Sequence, residues 1–199
     1  MTKGKKLLLI LGILAALSWG VYACKYYFSY WQDLQSRPWA YSRDPNAKLL
    51  VGKWQGTFKD PDGVSKTIEL QIFEPVTEKE SQKKATKSPR RRGSRENKRA
   101  FDGVATASSS LGIEKYEIYG GVEKEDDHAL HFNFRPEDEK KRVLPNFTLL
   151  EAQKGNWQDD ALNLTMAFAY HRADGSSFWS STDPRHAKKA VVKLKRQRN

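Results

Sequence analysis

Hydrophobic and polar residues alternate along most of the chain from Leu49 onward. In the stretch 65–73, Ile68, Leu70 and Ile72 fall on one face, while Glu69 falls on the other. A period of two is the pattern of a β-strand that buries one face. The sequence DPDG at residues 60–63, between the first two such stretches, is typical of a turn. The beginning of this region is therefore predicted to be a β-hairpin.

The same alternation returns in later stretches, which are separated by turn-forming residues. Predicted strands cover residues 49–58, 65–73, 101–107, 115–122, 128–134, 146–152, 161–170, 176–181 and 189–196. Residues 155–160 are predicted to form a turn. Short successive strands of this kind predict an all-β fold, an antiparallel up-and-down barrel of about eight to ten strands, with a sandwich as the alternative. The barrel is preferred because closing the sheet removes its exposed edges.

Large apolar side chains occupy the inward positions of the predicted strands. In a small barrel, such side chains either fill the interior or line a cavity for a ligand. These residues are the candidate site for a small apolar ligand: Trp54, Phe58, Tyr116, Phe132, Phe134, Met166 and Phe168.

The N-terminal segment differs from the rest, because Leu7–Cys24 contains no charged residue and follows three lysines. Eighteen helical residues span about 27 Å, which approaches the thickness of a bilayer core. Aromatic residues follow at once, as is typical of a membrane interface. Residues 1–31 are therefore predicted to be a transmembrane anchor. Its lysines favour a cytoplasmic N-terminus, with the remainder outside, in the periplasm if the source is bacterial.

Two other interpretations of this segment stay open. It has the lysines, apolar stretch and small residues of a cleaved secretory signal. The sequence Val21-Tyr22-Ala23-Cys24 also resembles a bacterial lipobox, which implies lipid attachment at Cys24. The uncleaved anchor is preferred over both. Residues 32–48 contain Pro38 and Pro45 and are predicted to be a linker, so that the barrel domain covers residues 49–199.

The net charge of +11 over 199 residues is distributed unevenly. Segments 1–25, 78–99 and 185–199 carry +4, +7 and +7, whereas segment 100–184 carries −7. Segment 78–99 is predicted to be a flexible insertion in which Arg90, Arg91 and Arg92 contact anionic membrane lipid. Nucleic acid is a less favoured partner, because this segment contains no aromatic residue.

The sequence offers no recognisable set of catalytic residues. A single cysteine excludes a disulfide framework and any cysteine-based zinc site. The four histidines, His128, His131, His171 and His186, do not form an i, i+4 metal-binding pair, and no phosphate-binding loop is present. The prediction is a protein without enzymatic activity, metal or cofactor. A hydrolase assembled from strand histidines and acids is the third interpretation.

The first predicted strand carries Gly52-Lys53-Trp54, which resembles the G-x-W motif at the start of lipocalin and fatty-acid-binding (calycin) barrels. This resemblance implies an up-and-down barrel in which Trp54 closes one end and a cavity holds a small apolar ligand.

Together, these patterns predict a membrane-tethered, extracytoplasmic β-barrel that binds an apolar ligand or a component of the cell envelope. The alternative is a structural or adaptor protein with a filled core. Such a protein would engage a membrane or a protein partner through its surface and its basic loop.

Overall fold

The strands of the computed structural model follow the period-two pattern of the sequence. The structure describes residues 3–76, 97–178 and 184–197, so Arg90, Arg91, Arg92 and most of the predicted insertion lie outside the described residues. The elements are helix α1 (Lys3–Ser36) and strands β1 (Gly52–Lys59), β2 (Ser65–Ile72), β3 (Ala100–Ser109), β4 (Gly112–Val122), β5 (Ala129–Pro136), β6 (Asn146–Gln158), β7 (Ala161–His171), β8 (Ser177–Phe178) and β9 (Ala190–Arg196). Two short 3₁₀ helices cover Glu139–Lys141 and Pro184–Ala187.

Eight of these strands form a closed antiparallel barrel. Neighbouring strands follow the order β6-β5-β4-β3-β2-β1-β9-β7, and β6 pairs with β7 to close the ring. The two-residue β8 pairs only with β7, outside the ring. The predicted barrel is thus confirmed, and the sandwich is excluded because the sheet returns to its own first strand.

The inner face of the barrel carries the apolar residues that the alternation predicts. In β2, for example, Ile68, Leu70 and Ile72 are buried, whereas Glu69 is exposed. Trp54 lies at one end of the barrel, where its strand partner is Arg196 of β9. Lys66 lies at the opposite end, where β2 begins and pairs with the end of β3. We call these the tryptophan end and the lysine end.

Strand β6 is longer than predicted, because residues 155–158 belong to the strand and not to a turn. Gly155 is paired on both sides, with Leu130 of β5 and Leu164 of β7. A Cβ atom at this position would lie 2.7 Å from Leu130 Cδ1, so a larger residue would require the leucine side chains to shift. Two register shifts, between Leu149 and Glu151 and between Ala152 and Lys154, show that β6 contains β-bulges.

Helix α1 continues to Ser36, five residues beyond the predicted end of the anchor. The following prolyl residue, Pro38, favours an end of the helix at this point, because the residue before a proline avoids the helical conformation. Within the described part of the chain, no helix combines the length and apolar content needed to cross a membrane.

Much of the predicted linker belongs to the barrel domain. Trp39, Ala40 and Leu50 are buried in the core, and the Leu50 amide donates to the Trp39 carbonyl at 2.9 Å. Trp39 packs edge to face on Phe101 of β3, with ring centroids 5.9 Å apart. The indole Nε1 of Trp54 donates to the Leu50 carbonyl at 2.9 Å. Residues 38–50 therefore cover the tryptophan end of the barrel.

We expect Trp39→Ala to lower the free energy of unfolding by about 3–5 kcal/mol, because it removes a fully buried aromatic side chain. Urea unfolding of the full chain in a mild detergent, followed by tryptophan fluorescence, measures this change. Tyr119→Ala is the control, since Tyr119 is half exposed on β4, and it should cost about 0.5 kcal/mol. Equal effects of the two substitutions would show that residues 38–50 do not contribute to the core.

Candidate functional site

The structure places all seven predicted ligand-binding residues inside the barrel. Each is at least nine-tenths buried, and Trp54 and Met166 are fully enclosed. Several of their rings contact one another. The ring centroids of Phe132 and Phe134 are 5.1 Å apart, and those of Phe134 and Tyr116 are 5.7 Å apart. These are the separations of packed aromatic pairs. A ligand-binding role for the seven residues stays a prediction.

Arginine and tryptophan side chains close the tryptophan end. The guanidinium carbon of Arg196 lies 4.3 Å from the centre of the Trp54 ring, within the range of a cation–π contact. The same guanidinium donates to the carbonyls of Leu49 and Val51, and lies 3.3 Å from a carboxylate oxygen of Asp160. Arg196 thereby joins the end of β9 to the segment that precedes β1.

A buried lysine organises the lysine end. Lys66 is an inward residue of β2 and is 2% exposed. Its Nζ donates to Asn146 Oδ1 at 2.8 Å and to the Phe147 carbonyl, and lies 3.3 Å from Asp60 Oδ2. Two of the three N–H donors of the ammonium group are thus hydrogen-bonded, and Asp60 supplies a counter-charge. Lys66 therefore ties the β1–β2 turn to the beginning of β6.

Asp60 has a second role in the same turn. Its Oδ1 accepts hydrogen bonds from the amides of Asp62, at 3.0 Å, and Val64, at 2.9 Å. This is the arrangement by which an aspartate side chain stabilises a turn. The turn-forming aspartate of the sequence thus also supplies the counter-ion of the buried lysine.

The network continues from Asn146 to strand β4. Asn146 Nδ2 donates to Glu114 Oε2 at 3.1 Å, and the Tyr116 hydroxyl donates to the same oxygen at 3.0 Å. The Tyr116 oxygen in turn accepts from the Leu149 amide at 3.3 Å. Side chains of β4 thus provide hydrogen bonds to the first part of β6.

These side chains replace a missing backbone pairing. Strand β5 runs to Pro136, but its pairing with β6 ends at Asn133, opposite Glu151. The beginning of β6, from Asn146 to Leu150, therefore pairs with β7 on one side only. Where β6 leaves β5, a cleft of about 590 Å³ opens, lined by β4, by residues 136–142 and by Thr148 of β6. We call it the lateral cleft.

Polar and apolar groups both line the lateral cleft. Strand β4 and the end of β5 contribute apolar surface from Ile113, Pro136 and the ring of Tyr116. Polar groups come from Glu114 and from Arg142, whose guanidinium Nη1 lies 3.0 Å from Nδ1 of His171. The full lining consists of Ile113, Glu114, Lys115, Tyr116, Pro136, Glu137, Asp138, Lys141, Arg142 and Thr148.

Burial changes the proton affinities of the groups around the cleft. Desolvation raises the pKa of Glu114 above its ordinary value, although the nearby charge of Lys66 acts in the opposite direction. Desolvation also raises the pKa of the Tyr116 phenol, with a further contribution from Glu114. The pKa of His171 is lowered by burial and by the charge of Arg142. Tyr116 is therefore a neutral hydrogen-bonding group, and His171 is neutral at pH 7.

The sequence analysis did not identify Lys66 and Glu114, although the alternation contains a signal for both. Lys66 shares the inward face of Ile68 and Leu70, and Glu114 precedes Tyr116 by two positions. A charged residue in the register of buried residues is unusual and indicates a partner inside the fold. The partners themselves, Asp60 and Asn146, have no such signal.

The three histidines whose side chains the structure describes do not come together. His131 is exposed beside Glu123, whereas the ring of His128 packs on Trp157 and that of His171 lies beside Arg142. Among the side chains that the structure describes, no three histidine, cysteine or acidic residues form a group able to hold a metal ion. His186 lies outside the described side chains.

Comparisons with known proteins give structural neighbours only. No protein family profile matches the chain, and no curated protein matches it. The chain is similar to a de novo designed fluorescence-activating β-barrel, with 12% identity over 74% of this chain and 93% of that chain and a TM-score of 0.39. A redesigned β-barrel shows 14% identity over 79% and 100%, with a TM-score of 0.45. Another redesigned β-barrel, bound to DFHBI, shows 15% identity over 74% and 94%, with a TM-score of 0.42.

We expect Lys66→Met to lower the free energy of unfolding by about 3–5 kcal/mol, because it leaves the buried Asp60 carboxylate without its counter-ion. The double variant Lys66→Met/Asp60→Asn should lose much less than the sum of the two single variants, since no unpaired buried charge remains. Urea unfolding of the four proteins measures the coupling. Lys53→Met, at an exposed position on β1, is the control. Additive losses in the double variant would contradict the ion pair.

The raised pKa of Glu114 predicts a specific dependence of stability on pH. The folded protein binds this proton more tightly than the unfolded chain does, so the stabilisation is complete below pH about 4 and is lost as the pH rises through the folded pKa. The free energy of unfolding of the unmodified chain should therefore fall relative to that of Glu114→Gln between pH 4 and 8. Glu117→Gln, on the outer side of the same strand, should not reproduce this change. A difference that is constant with pH would contradict the assignment.

Proposed function

We propose that the chain is a membrane-tethered, extracytoplasmic β-barrel that binds a small amphipathic ligand in the lateral cleft and has no enzymatic activity. The observation that carries this proposal is the cleft itself, about 590 Å³ in volume, at the point where β5 and β6 separate. Small-molecule sites in proteins are concave, have volumes of about 300–1,000 Å³ and combine apolar walls with a few polar groups. The lateral cleft has these properties.

The lining supports an amphipathic ligand. Ile113, Pro136 and the Tyr116 ring offer contacts to an apolar body, while Glu114 and Arg142 offer hydrogen bonds to a polar head. Tyr116 and Asn146 hold the Glu114 carboxyl in place, and Arg142 is positioned by its contact with His171. A site whose polar groups are fixed beforehand loses less entropy when the ligand binds. The sequence predicted an apolar ligand, whereas the lining of the lateral cleft favours a ligand that also carries a polar group.

The tether belongs to the same proposal. The run Leu7–Cys24 and the lysines before it support insertion of the N-terminal segment with its N-terminus in the cytoplasm. Helix α1 includes this run. Lipid attachment at Cys24, which is exposed, is the alternative anchor. The basic segment 78–99 would add contacts with anionic headgroups through Arg90, Arg91 and Arg92.

We also propose that the barrel domain is related to the calycin barrels. The closed up-and-down arrangement and the position of Trp54 at one end of the barrel support it.

A second candidate function is that of a structural or adaptor protein with a filled core. Contacts between aromatic rings inside the barrel favour it. The ring centroids of Phe101 and Phe132 are 5.9 Å apart, as are those of Phe58 and Phe168. Side chains that pack on one another leave less room for a ligand in the interior. The two candidates differ in what the lateral cleft holds.

Native mass spectrometry of the full chain, purified from alkali-washed membranes, tests the proposal. The chain should stay in the washed membrane fraction and should carry a small molecule that is released on unfolding. Ile113→Trp adds bulk at the exposed rim of the cleft and should remove this molecule from the spectrum.

The matched control is Val191→Trp, which introduces the same side chain at an exposed position of β9. It should keep the bound molecule. If the unmodified chain carries no small molecule, the adaptor with a filled core is favoured. If the chain leaves the membrane on washing while still carrying the molecule, ligand binding is supported and the membrane tether is contradicted.

A further inference from the structure

Three adjacent strands of the barrel contain no acidic residue. Strands β1, β9 and β7 lie side by side, and none of their sequences includes aspartate or glutamate. This contrasts with the charge of −7 in segment 100–184, to which β7 itself belongs. One side of the barrel is therefore free of acidic strand residues, although most of the domain is acidic.

Exposed lysines occupy outward positions on two of these strands. Lys53 and Lys59 lie near the two ends of β1, and Lys193 and Lys195 are alternate residues of β9. Alternate residues of a strand are about 7 Å apart, and Lys53 and Lys59 are separated by about 20 Å. The positive charges therefore extend along the strands in a line. We call these four residues the lysine face.

No lysine of this face forms an ion pair with any other described residue. The acids closest in the fold already have partners. Asp160, at the β6–β7 turn, lies 2.8 Å from Lys48 and 3.3 Å from Arg196. Glu69 of β2 accepts a hydrogen bond from Gln55 at 3.4 Å. The charge of the lysine face is thus available to an external anion.

A groove lies beside the two β9 lysines of this face. It has a volume of about 400 Å³ and is lined by the charged residues Lys193, Lys195 and Arg196 together with uncharged residues. Gly56 is one of the uncharged residues, and a Cβ atom there would come within 2.5 Å of the Lys193 carbonyl. The remaining lining residues are Gln55, Thr57, Thr67 and Gln197. Amides and hydroxyls of this kind both donate and accept hydrogen bonds.

We propose that the lysine face binds a linear anionic polysaccharide. A chain of sugars carries charged groups at regular intervals, which the spaced lysines would neutralise, and hydroxyls, which the side-chain amides would bind. The outward residues of β1 and β9 include no aromatic side chain on which nucleobases could stack. A groove lined by amides fits a single polymer chain better than the flat surface of a bilayer. The site is separate from the lateral cleft and does not depend on a ligand there.

The test uses the full chain in phosphatidylcholine nanodiscs and sodium alginate, a polyuronate, as the probe. We expect measurable binding by calorimetry that weakens as salt is added, and no binding of neutral dextran. Lys193→Glu/Lys195→Glu should lower the affinity by about tenfold or more, since two attractive contacts become repulsive. Lys193→Arg/Lys195→Arg should keep the affinity within a factor of about two, because the charge is preserved.

The matched control is Lys124→Glu/Lys140→Glu, which changes the net charge equally at two exposed positions outside β1, β7 and β9. It retains the basic segment 78–99, as all the variants do, and should leave alginate binding nearly unchanged. An equal loss in this control would show attraction by net charge alone and overturn the proposal. Tighter binding of oligothymidine, or of vesicles rich in phosphatidylglycerol, by the unmodified chain would also overturn it and assign the face to nucleic acid or lipid.

Discussion

The ammonium group of Lys66 holds together the end of the barrel where backbone pairing is incomplete. Its counter-ion comes from the β1–β2 turn, and its two hydrogen-bond acceptors come from the beginning of β6. At this point β6 lacks a neighbour on one side, so side chains must satisfy groups that a strand would otherwise pair. Asn146 carries the connection onward to Glu114, and Tyr116 bonds the Leu149 amide. The inner wall of the lateral cleft therefore depends on a charge that is buried behind it.

This arrangement explains why the cleft lies in the barrel wall. An eight-stranded barrel is only wide enough for side chains to fill its interior, and here aromatic rings in contact occupy much of that space. The tryptophan end is covered by residues 38–50 and by Arg196. The space outside the filled interior lies where β6 leaves β5, and the bulges of β6 accompany that separation. Bulges are common beside functional sites because they redirect side chains without ending the strand.

The net charge of the protein does not describe how its charged residues are distributed over the fold. The net +11 includes lysines before the apolar run, a basic segment that lies mostly outside the described residues, and a basic C-terminal strand. This last strand, β9, belongs to the folded barrel, where it lies between two strands that also lack acids. The acidic residues of the domain are placed mostly in loops and on the other strands. The barrel thus has one side whose three strands carry basic residues and no acidic ones.

The alternation of residues determined the strands, their buried faces and the barrel class, because a period of two is a local property of the chain. It therefore placed Phe132, Phe134 and Phe168 inside correctly. It was wrong for residues 155–158, where pairing on both sides extends β6 through a segment rich in turn-forming residues. Trp39, in the segment predicted as a linker from its prolines, packs on Phe101. Only the tertiary structure decided which strands close the ring and where β5 and β6 separate. It also decided that Lys66 bonds to Asn146, which is eighty residues away in the chain. Such pairings depend on the geometry of the closed sheet, and no local pattern carries information about partners so distant in the chain.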